Sequence, residues 1–289
     1  MRTSLGEKIF YVINGIFLLL LGLVCLYPLI YVASSSISSV QAISAGKVFL
    51  FPVEPTLAAY KAVLGESDIW WGYANAIYYT ILGTVLSMAL TILGAYPLSK
   101  KDLKGKGIVT FMVVLTMWFD AGTVPKYLNY VDLGLLNTRI GVLLSAGCAG
   151  SYVIIMRSFF LSIPDSLEEA ARIDGAGHFR ILWQIYLPLS KAAIATVALM
   201  YGIARWNAYF WPMLLLSQST DLQPLQVVLK RILLEVTTSL SVGGEQITNY
   251  STKMMTYAII MVSIIPMLLV YPFIQKYFAK GIMIGSVKG

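Results

Sequence analysis

Six stretches of mostly apolar residues, at 9–33, 72–98, 107–124, 140–163, 192–216 and 254–274, divide the sequence. A bilayer core of about 30 Å takes roughly 20 helical residues. It holds no water to pair with backbone amides, so runs of this length must satisfy their own N–H and C=O groups as helices. The expected fold is therefore an all-α integral membrane protein with six transmembrane helices. Charge agrees: 12% of the 289 residues are Asp, Glu, Lys or Arg and 58% are apolar, against about 25% and roughly 45–50% in soluble domains. The first run has Arg2 and Lys8 beside it, as a secretory signal would. Its 25 residues exceed the usual apolar core of such signals, and it is read as a span.

With six spans both termini share a side. The segments on that side carry 13 Lys and Arg, against 7 on the other, and Arg205 lies within the fifth run. The positive-inside bias places both termini in the cytoplasm. The same bias accounts for the formal net charge of +7, so nucleic acid is not an expected partner, whereas membrane lipid is. Cys25 and Cys148 fall in apolar runs and His178 is the only histidine. No metal site and no Cys/His catalytic pair is expected. Residues 1–289 read as a single transmembrane domain without repeats or low-complexity segments.

Between the fourth and fifth runs, residues 164–188 form the most informative segment. Pro164 ends the preceding helix, Ser166 is positioned as an N-cap with Glu169 completing a capping box, and Glu168 and Arg172 stand i, i+4. Gly175 suits the left-handed residue just past a helix end, and 178–186 predicts a second helix stopping at Leu187-Pro188. The product is a bent helical elbow. Ala170 and Ala171 give its first helix a smooth surface flanked by Leu167 and Ile173, which suits either docking into a partner's groove or packing on its own bundle.

At Glu169-Ala170-Ala171, Asp174-Gly175-Ala176, Ile185 and Leu187-Pro188 the sequence resembles the EAA signature of permease subunits of bacterial ABC importers. Further patches resemble the carbohydrate importers of the MalG/LplC type. These are Tyr27-Pro28-Leu29-Ile30-Tyr31-Val32 with Ser34 and Ser36, Ala95-Tyr96-Pro97-Leu98-Ser99, Leu133-Gly134-Leu135-Leu136-Asn137-Thr138, Trp206-Asn207-Ala208-Tyr209-Phe210-Trp211-Pro212, and Gln275-Lys276-Tyr277-Phe278 through Gly281 to Gly285-Ser286-Val287-Lys288-Gly289. The resemblance implies a type I importer permease fold whose elbow is a coupling helix. It would dock on an ATPase through Leu167, Glu168, Glu169, Ala170, Ala171, Ile173, Asp174 and Gly175, with the C-terminal tail reaching the same partner. It further implies a second homologous permease, two cytoplasmic ATPase subunits and an extracellular solute-binding protein, which together import an oligosaccharide. A non-sugar solute, or an ion-coupled transporter, is the alternative. No Gly-x-x-x-x-Gly-Lys-[Ser/Thr] loop occurs, so ATP-Mg is expected on the separate ATPase, with no cofactor on this chain and no enzymatic activity of its own.

The solute path is harder to read. Arg205 stands about 20 Å along the fifth span, where a charge is a functional candidate by default. Trp206, Asn207 and Tyr209 beside it suit a sugar's apolar face and hydroxyls, or equally an interfacial anchor. Asp120 either lines the path or marks a helix end near water. Asn75, Tyr79 and Ser87, at i, i+4 and later helical spacing, either line the path or serve helix packing.

Overall fold

A computed structural model describes residues 4–241 and 253–269. The tail from Gln275 to Gly289 lies outside them, as does the end of the sixth run. Among the described residues the secondary structure is entirely helical. Two helices among the described residues, Leu5–Ser36 and Ser67–Ser99, are singly long and apolar enough to cross a membrane. Two bent pairs meet the same criterion jointly: Lys106–Trp118 with Thr123–Asp132, bent by 113°, and His178–Leu189 with Lys191–Trp206, bent by 84°. Gly150–Leu161 and Lys253–Leu269 are shorter apolar helices. The six runs thus fall on helices, but the third, fourth and fifth are not continuous rods.

The chain forms two compact units. The first contains residues 4–69 with 229–241 and 253–267. Its helix Leu5–Ser36 starts with a complete capping box, Ser4 and Glu7 exchanging backbone and side-chain bonds. Residues 5–30 expose apolar side chains all round, a surface suited to lipid or other helices. The last turn changes character. Ser34 Oγ donates to the Leu50 carbonyl at 2.7 Å, Ser36 Oγ meets Tyr60 Oη at 2.9 Å, and Ser38 Oγ accepts from Val53 N at 3.1 Å. These bonds fasten the loop that follows the helix, which gives the serines of the Tyr27 to Ser36 patch a physical task. Arg231 pairs with Asp68, and Tyr31 meets Tyr257 edge-on at 5.8 Å.

The second unit, residues 70–228 with 268–269, is built along Ser67–Ser99. Ala95, Tyr96, Met156, Phe160, Tyr186 and Val197 are buried in one core that joins this helix to Gly150–Leu161 and Lys191–Trp206. The Leu133 to Thr138 patch is a tight connection. Gly134 and Asn137 have φ of 64° and 57°, values that glycine and asparagine tolerate best. Asn137 N donates to the Leu215 carbonyl at 2.7 Å, and Thr138 caps the next helix by accepting from Gly141 N at 3.0 Å.

Candidate functional site

The elbow forms as helix Asp165–Ile173, a turn, and helical residues 178–189. Its start differs from the sequence expectation. Pro164 occupies the N-cap with no side-chain bond, and neither Ser166 nor Glu169 makes a capping box. Asp165 instead places a carboxylate in the first turn, favourable at a helix N-terminus, and pairs with Lys101. The end is as expected. Gly175 has φ +77°, its N–H donates to Arg172 O at 3.0 Å, and Ala176 N donates to Ala171 O at 2.9 Å, the bond pair of a Schellman motif. The second helix does not stop at Pro188. Residues Leu182–Tyr186 adopt a π turn, with Leu187 N bonding to Leu182 O, so the helix absorbs the missing proline donor and runs to Leu189.

Leu167, Glu169, Ala170, Ile173, Asp174 and Gly175 are exposed on this elbow. Two residues expected on that face point elsewhere. Ala171 is half-buried and packs against the core, and Glu168 is buried. The Glu168 carboxylate accepts from Lys100 Nζ at 2.6 Å, Tyr186 Oη at 2.6 Å and Arg172 at 2.8 Å. Lys100 Nζ lies 4.0 Å and 3.7 Å from the centres of the Tyr96 and Tyr186 rings. Burial would raise the Glu168 carboxyl, but the bonds from Lys100, Tyr186 and Arg172 outweigh it and hold its pKa at about 2. Tyr96 Oη donates to His178 O at 3.0 Å, so the second elbow helix is held by the same helix end.

The fourth run contains the second feature. Helix Arg139–Leu144 ends, 145–149 is not helical, and Gly150–Leu161 resumes. Such a break strands carbonyls and amides that a bilayer cannot satisfy. Arg205, 8% exposed, reaches them: NH1 donates to Val142 O at 3.2 Å, and NH2 to Leu143 O at 2.9 Å, Ala146 O at 2.7 Å and Ser87 Oγ at 3.1 Å. The cation thus caps a helix C-terminus, where positive charge is favoured. Ala149 N donates to Tyr201 Oη at 3.0 Å, and that oxygen also meets Thr91 Oγ1 at 2.7 Å. A cavity of about 220 Å³ borders the break, lined in part by Tyr79, Ser145, Tyr152, Tyr201 and Arg205.

The remaining candidates are distributed as follows. Asn75 donates to Asp221 O at 2.8 Å and Gln223 O at 3.2 Å, and Tyr79 Oη to Leu222 O at 3.0 Å, so their polar ends hold the 221–223 turn. Trp206 is buried, with its ring 6.4 Å from Tyr73. Asn207 and Tyr209 are exposed at a break between Lys191–Trp206 and Phe210–Leu215. Asp120 is exposed in the bend after Trp118, accepting from Gly122 N at 2.7 Å and pairing with Lys126. Gly83, Thr91, Lys100, Tyr186 and Tyr201 were not singled out for chemistry by sequence, although Tyr96 and Lys100, four residues apart at a helix end, carried a usable signal.

Residues 107–284 match the family described as "Binding-protein-dependent transport system inner membrane component". The polygalacturonan/rhamnogalacturonan transport system permease protein YtcP of Bacillus subtilis (strain 168) is 39% identical over 94% of this chain and 96% of its own length. Protein LplC of the same organism is 35% identical over 100% of this chain and 98% of its own. In three dimensions the chain is similar to one from a bacterial ABC transporter involved in the import of the acidic polysaccharide alginate, with a TM-score of 0.85, 43% identity, and coverage of 96% of this chain and 99% of that one. The chain belongs to the binding-protein-dependent transport permeases, among the membrane components of carbohydrate ABC importers of the MalG/LplC type.

Proposed function

We propose that this chain is one of two permease subunits that carry an oligosaccharide across the bacterial plasma membrane by alternating access. It has six spans and both termini in the cytoplasm, and it works with two ATPase subunits that bind ATP-Mg and an extracellular solute-binding protein. The elbow is the contact with the ATPase, and the cavity beside the broken fourth span lies on the sugar's route. The observation that carries this reading is the elbow itself: a helix fixed to the bundle by its buried side while Leu167, Ala170 and Ile173 stand exposed at 165–173. Apolar side chains around a small residue suit a cleft on another protein. The relatives named for polygalacturonan/rhamnogalacturonan and alginate make uronic-acid oligosaccharides the first solutes to assay.

Ala170→Trp tests the docking face. The variant is expected to express and remain folded in detergent, but to lose co-purification of the ATPase and solute-stimulated hydrolysis, because overpacking a close contact costs about 1–3 kcal/mol. Normal co-purification and stimulation would remove Ala170 from the interface.

A further inference from the structure

Helix Ser67–Ser99 and the residue just past its end touch the elbow, the break at 145–149 and the 221–223 turn. Near its end, Lys100 bonds Glu168 and Tyr96 bonds the His178 carbonyl. Two turns earlier Thr91 meets Tyr201, and Ser87 meets both Ala146 O and Arg205. Gly83 lies against the Arg205 guanidinium, and Tyr79 and Asn75 hold the 221–223 turn. One helix therefore runs from the elbow to the wall of the 220 Å³ cavity.

The join at the elbow end is a buried ion pair with side-chain exposures of 8% and 11%. Buried pairs are poor sources of stability, since apolar replacements of equal volume are often neutral or better. What they do supply is orientation. The carboxylate here accepts from three different side chains, on the helix end, on the elbow's first helix and on its second. The bonds from Arg172 and Tyr186 hold the carboxylate in place within the elbow, and the bond from Lys100 joins it to the helix end, so the elbow cannot slide or rotate there without leaving the buried ammonium unpaired.

We propose that Glu168 and Lys100 are positioning residues for energy coupling: they make the elbow and helix Ser67–Ser99 move as one body, so that a displacement of the elbow reaches the cavity wall along that helix. This rests on the elbow's docking to the ATPase, but assigns Glu168 to the opposite, inward face. Breaking the pair leaves the docking surface in place and disconnects it from the transport path. ATP is then hydrolysed with little solute moved.

The test uses the complete importer reconstituted in liposomes, with Cys25 and Cys148 replaced by Ser and a cysteine at Glu169. It compares the intact pair with Glu168→Gln and Lys100→Met and with the conservative Lys100→Arg. Two quantities are read: cross-linking of the Glu169 cysteine to the ATPase, and solute molecules carried per ATP hydrolysed. The expected result is undiminished cross-linking in all four, a fall of fivefold or more in solute per ATP for Glu168→Gln and Lys100→Met, and recovery of most of it in Lys100→Arg. A merely structural role would lower the amount of assembled complex without changing the ratio. If Lys100→Met does not assemble, Glu168→Gln, which keeps shape and hydrogen-bonding capacity, decides alone. Equal ratios with cross-linking intact overturn the inference while leaving the docking reading standing. Absence of a cross-link with the pair intact overturns the docking reading and this inference with it.

Discussion

Arg205 illustrates what a charge inside an apolar segment is for when its partners are backbone carbonyls and a hydroxyl. Its guanidinium offers five N–H donors and no acceptor. The carbonyls of Val142, Leu143 and Ala146 that it contacts lie at the break at 145–149, where Ser145 Oγ and Ser87 Oγ also donate to Val142 O and Ala146 O. A rigid fork of donors can serve several acceptors at once and a lysine ammonium cannot reach them all. Arg205→Met and Arg205→Lys should both lower the thermal midpoint of the detergent-solubilised protein, each buried acceptor left unpaired costing about 1–3 kcal/mol. A midpoint for Arg205→Lys equal to that of the unaltered protein would show that the carbonyls find other partners. Gly83 belongs to the same arrangement. A Cβ there would sit 2.9 Å from the guanidinium carbon and Nε, so Gly83→Ala should destabilise the protein by displacing the guanidinium. The same change made on top of Arg205→Met should cost clearly less, and additive losses in that double-mutant comparison would separate the two residues.

The elbow and the broken span are assembled by opposite means. Its first helix is held at one end by a backbone motif and along one side by a buried carboxylate. Gly175→Val places a β-branched residue at φ +77°, a strain of about 1–2 kcal/mol. Limited proteolysis of 174–178 should accelerate, and an unchanged cleavage rate would argue against the left-handed turn. The carboxylate supplies a pH dependence whose sign is set by its depression. Glu168 has a pKa of about 2 in the folded protein, against roughly 4.3 in an unstructured chain. Its contribution is therefore complete above about pH 5 and is lost only as the pH falls toward 2. Amide exchange of 166–174, corrected for intrinsic rates, should show constant protection from pH 8 to 5 and a loss below 4.5 that Glu168→Gln abolishes. Loss of protection already between pH 7 and 5 in the unaltered chain would place the controlling group elsewhere.

At the scale of the whole chain, hydropathy located the helices because a lipid solvent leaves few alternatives, and the Gly175 turn was legible because few residues accept its φ. The break in the third run falls at Asp120, where a helix end near water was one of the two readings of that residue. Those in the fourth and fifth runs were not legible, because the polar groups they free are backbone groups, which no side-chain pattern reports. Asn75, Tyr79 and Ser87 showed helical spacing, but only the fold reveals that they face carbonyls of other segments. Glu168 misled for a similar reason: one exposed and one buried glutamate adjoin in a short helix, and sequence does not tell which faces the bundle. The proposed function requires that sugar move with energy taken from ATP on a partner and not from an ion gradient. The direct test loads liposomes containing the full complex with ATP-Mg and supplies binding protein and a labelled uronic-acid oligosaccharide outside. Uptake should require internal ATP and survive ionophores that dissipate all ion gradients. Uptake that continues without ATP and collapses with the gradients would contradict it.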